Sequence, residues 1–261
     1  MLGAHVRRQP NYLALSALVF AVVTGGGPTV ALGLGTGTAA PPVEAPADCR
    51  IDHDVFIHGS RRSHDIALTF DACPTSHVPG FSSEIVDLLA HEHVAATFFI
   101  SGRWAETHPH ELARLVAVPF FETALHGYRH RRLTSADRVR TEIEDGRSAL
   151  QRLNVQPQPL FRPPFGDRPA TLAAVAQHSG VTPVLWDVAP GDPSPQETAA
   201  ALERDVLRQA RGGSIVVMHV NGRGIGTGAA LPTLLARLRE RGFHFVTVSE
   251  LLHACHAPTL P

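Results

Sequence analysis

The chain contains no lysine: all 23 of its basic residues are arginine, set against 24 acids and 16 histidines. In a sequence rich in Ala, Gly and Pro, that absence reads as the compositional bias of a genome and not as a functional choice. Charge of one sign is missing too. A net charge of -1 leaves no basic excess to neutralise nucleic-acid phosphates, which argues against nucleic-acid partners. No glycine-rich phosphate loop follows the first strand-like run, where FDACPTSH stands in place of GxGxxG, so a dinucleotide-binding fold loses ground. Long apolar runs are lacking as well: YLALSALVFAVV, near the N-terminus, is shorter than the roughly 20 residues of a membrane helix.

What is present begins with that N-terminal segment. Arg7 and Arg8 precede the apolar run, and a Gly/Thr/Pro/Ala-rich stretch follows it. A basic start, a short apolar centre and small residues after it describe a secretory signal, with an uncleaved membrane anchor as the alternative. Residues 1–45 therefore read as signal or anchor plus linker, and residues 46–261 as one domain that is secreted or held in the cell envelope. Cysteine is scarce but suits that compartment. Cys49 lies before the domain's first apolar run and Cys255 after its last, so a disulfide would close the two ends and leave Cys73 a free thiol. Three unpaired cysteines are the alternative.

From residue 64 onward, apolar runs alternate with amphipathic ones. Strands are predicted at 66–70, 95–100, 119–125, 159–162, 183–186, 214–218 and 243–248. Helices are predicted at 82–93, 106–117, 135–153, 168–180, 194–210 and 228–242, with apolar residues three and four apart as in Leu231, Leu234, Leu235 and Leu238. Ser135 is placed to cap the third of these. Seven short, continuously apolar strands separated by helices predict an α/β fold with a parallel sheet, either open and doubly wound or closed into a barrel.

Polar residues stand directly after six of the strands: Asp71, Ser101, His126, Arg162, Asp187 and His219. In parallel α/β barrels the strand C-terminal ends converge on the active site, and these residue types suit metal ligation and acid–base work. In HGYRH, His126 and His130 are four apart, a spacing that lets two imidazoles on one helical turn share a metal ion; a solvated turn is the bland reading. In FRPPFG, the prolines after Arg162 restrict its backbone, which suits a guanidinium holding a carboxylate by a forked hydrogen bond. Trp104 is set to stack on a sugar ring or to pack in the core.

Taken in order, TFDA, HGYRH, RPPFG, LWD and VVMH resemble the five motifs of the polysaccharide deacetylase family (the NodB-homology domain, carbohydrate esterase family 4) over roughly residues 64–252. The resemblance implies a distorted (β/α) barrel and metal-dependent removal of N- or O-acetyl groups from a polysaccharide. It implies Asp71 as catalytic base, His126 and His130 as ligands of a divalent metal (zinc, with cobalt or manganese as alternatives), and Arg162 as the residue that positions the base. Asp187 would tune His219 as general acid. Pro164, Phe165, Trp186 and Asn221 are the expected substrate-facing residues. Family members usually read TFDD, the second Asp completing the metal shell; here Ala72 occupies that position. Water, Asp71 itself or His77 could fill the vacancy, or the chain could be an inactive relative that binds glycans.

Overall fold

Residues 48–75 and 80–256 are described by the structure, a computed structural model. The signal and linker expected for residues 1–45 lie outside them, as does His77. A hairpin that no apolar period announced comes first, with β1 (Arg50–Asp52) antiparallel to β2 (Val55–His58). The alternating part follows as β3 (Asp65–Ala72), α1 (Ser83–His91), β4 (Ala96–Ile100), α2 (Gly102–Thr107), α3 (Pro109–Val116) and β5 (Phe121–Leu125). It continues as α4 (Ala136–Arg152), β6 (Leu160–Phe161), α5 (Leu172–His178), β7 (Thr182–Pro183), α6 (Ala199–Gln209), β8 (Ile215–His219), α7 (Thr227–Glu240), β9 (His244–Phe245) and α8 (Val248–His256).

Strands β3 to β9 each fall on one of the seven predicted runs, β7 meeting its run at 183–186 only through Pro183, and form one parallel sheet. Its order is β7-β6-β5-β4-β3-β8, with β9 beside the start of β3. The chain beyond β7 then ties the two edges together. Val184 N–H donates to Phe161 O at 2.9 Å on one side, and Val217 N–H donates to Val188 O at 3.0 Å on the other. Residues 184–188 thus cross from one edge strand to the other and curl the sheet into a distorted (β/α) barrel.

Central β3 is buried on both faces, which is why it reads as an unbroken apolar run. Leu68, Phe70 and Ala72 join the large core with Ile85 and Leu89 of α1, and Phe70 stacks on Phe98 at 5.4 Å. The alternate residues Thr69 and Asp71 face the other way, where both meet the Arg162 guanidinium. Burial of several phenylalanines and leucines at about 1.5–3 kcal/mol each dominates the stability of such a core.

Two predicted elements changed in kind. The helix predicted at 106–117 is two helices, because Pro109 lacks the N–H that would continue α2 and instead takes the first position of α3. The strand predicted at 243–248 shrinks to β9, because Val248 opens α8, a helix the periodicity did not reveal. Its first turn is anchored in the barrel: Val248 N–H donates to Thr97 Oγ1 at 3.0 Å and Ser249 N–H to Glu122 Oε1 at 3.4 Å. Cys255 therefore sits inside the last element, not after it, and is disulfide-bonded to Cys49 with Cα atoms 6.1 Å apart. The bridge spans a sequence separation of 206 residues. The loop-entropy expression assigns so long a closure about 5 kcal/mol of stabilisation, an upper figure for native disulfides. Ser135 caps α4 as expected, accepting from Arg138 N–H at 3.2 Å.

Candidate active site

The strand ends bring four of the six predicted polar residues to one mouth of the barrel. Arg162, leaving β6, is fully buried; its Nη1 donates to Thr69 Oγ1 and to Asp71 Oδ1, each at 2.8 Å. The contact is a single nitrogen shared by two acceptors, not the fork expected, and the buried Nε has no hydrogen-bond partner among the described residues. Nη2 reaches Leu185 O at 3.4 Å, and the group lies 3.9 Å from the centroid of the Phe99 ring. The second carboxylate oxygen of Asp71 lies 3.5 Å from His126 Nε2. His126 Nδ1 donates to Arg162 O at 2.9 Å, which fixes the tautomer and leaves Nε2 with its lone pair turned to the site.

The HGYRH segment is a loop and not a helical turn. Gly127 has φ of +76° and His130 φ of 57°, both in the left-handed region. Glu142 of α4, buried and overlooked in the sequence, holds the loop in that shape. Its Oε2 accepts the backbone N–H groups of Tyr128, Arg129 and His130 at 2.8, 3.0 and 3.2 Å. A Cβ on Gly127 would stand 2.6 Å from that oxygen, so glycine is required here. The two imidazoles come to rest with centroids 4.9 Å apart.

His219, at the end of β8, faces the same pocket. Its Nδ1 donates to Asp192 Oδ1 at 2.9 Å and its backbone N–H to Asp192 Oδ2 at 2.7 Å, leaving Nε2 free for chemistry. Asp192, not Asp187, is thus the partner of His219. The carboxylate of Asp187 is used at the opposite end of β8, where it accepts from Ile215 N–H at 2.7 Å and from Arg61 and Ser214 at 2.8 Å each. Four strand residues, about 13 Å of chain, separate that end from His219. Ser101 is likewise structural, its Oγ donating to His126 O at 3.0 Å.

Charges follow the geometry. Burial raises the pKa of Asp71, but the neighbouring His126 imidazole, the Arg162 charge and the Arg162 hydrogen bond outweigh it, and the pKa falls. Burial lowers the pKa of His126, and burial with neighbouring His126 lowers that of His130 to about 3, so both rings are neutral. For His219 burial works downward, yet the hydrogen bond and charge of Asp192 prevail and the pKa rises. Neutral imidazoles beside a carboxylate suit a cation. The ligand atoms of Cys73, His126 and His130 lie within 4.8 Å of one another, a donor set that fits a divalent metal.

The family Polysaccharide deacetylase matches residues 58–184. A peptidoglycan-N-acetylglucosamine deacetylase of Bacillus cereus is 31% identical over 198 residues, which cover 73% of this chain and 89% of that protein. The chain belongs to the polysaccharide deacetylase family. A chitooligosaccharide deacetylase of Rhizobium leguminosarum bv. trifolii is also 31% identical, over 72% of this chain and 92% of its own. Among solved structures, a pseudoenzyme of carbohydrate esterase family 4 from Bacillus anthracis gives a TM-score of 0.68 at 24% identity, covering 76% of this chain and 68% of that one, a likeness of fold.

Within this polysaccharide deacetylase the remaining expected residues divide. Phe165 and Trp186 line a cleft of about 250 Å³ together with Asp71, His126, His130, Asp192, His219 and Arg223. Phe165 is half exposed at φ of 59°, a strained backbone for an aromatic residue, and its ring packs 4.3 Å from that of His130. Pro164 is buried behind the HGYRH loop, near Gly127. Asn221 is fully buried and donates to Cys73 O and Sγ, which removes it from the open face of the cleft. Trp104 is core: its Nε1 donates to Gly80 O at 3.0 Å. Arg223 and Asp192 come from loops with no distinguishing period, and a GDP turn is the slight signal that Asp192 offered.

Glu142→Ala leaves three N–H groups without their acceptor. The expected outcome is a loss of about 1.5–3 kcal/mol in denaturant unfolding and roughly 10–100-fold weaker metal binding by dialysis.

Proposed function

We propose that the chain is a metal-dependent hydrolase that removes N-acetyl groups from a polysaccharide containing N-acetylglucosamine, peptidoglycan being the accessible one for an exported protein. The observation that carries this reading is a divided acid–base pair across one pocket: an ionised Asp71 held by Arg162 and a protonatable His219 held by Asp192. His126 and His130 hold a divalent cation, zinc in preference to cobalt or manganese. Such an ion supplies Lewis acidity toward an acyl oxygen and lowers the pKa of water.

The chain's own groups do the rest. Asp71 Oδ2 accepts a proton from the water whose oxygen bonds to the acetyl carbon, and Arg162 keeps the carboxylate in place while its charge is neutralised. As the C–N bond breaks, His219 Nε2 gives its proton to the departing amine nitrogen, and Asp192 stabilises the imidazolium beforehand. Products are acetate and a free amine on the sugar. Phe165 and Trp186 supply apolar surface at the cleft for an acetyl group and a sugar face. Export is supported by the N-terminal pattern and by the Cys49–Cys255 bridge, which belongs to an oxidising compartment.

Ala72 favours a second reading, a relative that binds glycans without turnover. Acetate release from acetylated chito-oligosaccharides separates the two. The first reading expects release that a chelator abolishes, that added zinc, cobalt or manganese restores, and that Asp71→Asn lowers by about 10²–10⁴-fold. Saccharide binding with no acetate under any of these metals establishes the second. Release from acetylated xylan alone would transfer the activity to O-acetyl esters.

The pH profile tests the acid. A general acid works only while protonated, so activity falls as pH rises through the pKa of His219, which Asp192 holds up. Asp192→Asn removes the charge and is expected to move the alkaline limb of kcat to lower pH; an unmoved limb would assign the acid elsewhere.

A further inference from the structure

Loss of the second TFDD carboxylate leaves the metal reading one protein ligand short, and the structure offers a replacement one residue on. We propose that Cys73 is the third protein ligand, making the centre a His126–His130–Cys73 thiolate site. This rests on the reading of the pocket as a metal centre and adds to it a ligand of different chemistry.

The grounds are geometric. Strand alternation sends Thr69 and Asp71 to the barrel interior, while Ala72 packs with Leu68 and Phe70 in the helix-side core. Cys73 has the parity of Asp71, and its sulfur and one ring nitrogen of each histidine lie within 4.8 Å of one another. Around tetrahedral zinc, bond lengths of about 2.0–2.3 Å place such atoms roughly 3.4–3.6 Å apart, so closing on an ion needs a contraction of about 1 Å. A neighbour already orients the sulfur: the fully buried Asn221 donates from Nδ2 to Cys73 O at 2.6 Å and to Sγ at 3.1 Å. A hydrogen bond to the ligating atom is the usual outer support of a metal ligand.

Charge agrees. A thiolate restores the negative charge that Ala72 removes, so that two anions, Asp71 and Cys73, face a divalent ion. Without the ion, burial and then the Asp71 charge push the thiol up to about 12, and it stays protonated. Binding replaces the Sγ–H proton, which leaves for solvent. With Cys49 and Cys255 joined, Cys73 is the chain's single free thiol, buried and out of reach of disulfide exchange. Sulfur beside two imidazoles also favours zinc and cobalt over manganese and magnesium.

Titrating the metal-free chain with Co²⁺ tests this, with bound cobalt measured by dialysis and the near-ultraviolet sulfur-to-cobalt charge-transfer band recorded alongside. Wild type is expected to bind one cobalt with that band. Cys73→Ser should lose the band and bind roughly 100-fold more weakly or worse, beyond the effect of an outer-shell change. Cys73→Asp should bind without the band. Should Cys73→Ser fail to fold, the wild-type band alone decides, since no other thiol exists to produce it. One cobalt bound by wild type with no sulfur band overturns the cysteine ligand and leaves the histidine centre standing. No cobalt bound at all overturns both.

Discussion

A guanidinium sealed inside the barrel, against one carboxylate and one hydroxyl, is the constraint on which the site depends. Arg162 has no exposed surface, and among its hydrogen-bond partners only Asp71 is charged. A buried cation of this kind is tolerated only with its counter-ion in place, and removing one partner typically costs about 3–5 kcal/mol. The pair therefore fixes two things together. It keeps Asp71 ionised against burial, and it pins the end of β3 to the end of β6, so that the carbonyl of Arg162 is where His126 Nδ1 can donate. Base, ligand tautomer and strand register follow from one ion pair.

Around that pair, acidic residues from distant positions act as clamps. Glu142 gathers three N–H groups of the HGYRH loop into one oxygen, and Asp192 grips His219 by ring and backbone at once. Each clamp shapes an unusual backbone or orients an imidazole. Strain at His130 and Phe165 is sustained by these supports and by the two prolines before Phe165.

The long inner strands were legible because β3, β4 and β8 are short apolar runs buried along most of their length, and their alternation with amphipathic helices left a parallel sheet as the economical arrangement. The first hairpin was hidden by its brevity, and α8 by the apolar FHFVTV run that leads into it. The site was legible in part. Asp71, His126, Arg162 and His219 sit where strands end, which sequence can locate. Asp187 and Asp192 are only five residues apart, and nothing in the sequence tells that the first caps β8 while the second crosses to the mouth. Glu142 and Asn221 act through backbone or sulfur contacts 12–14 and 148 residues away, beyond the reach of any local pattern. The helical reading of HGYRH failed because a glycine at positive φ, not a periodicity, sets the approach of its histidines.

The central claim is that one cation gathers these groups, and anomalous scattering at the zinc edge from crystals of the zinc-loaded protein tests it most directly. A single strong peak bonded to His126 Nε2 and His130, with Asp71 and His219 facing it across the cleft, is the predicted result. A structure with zinc bound elsewhere, or with the two imidazoles turned apart and Asp71 paired to Arg162 alone, would contradict it.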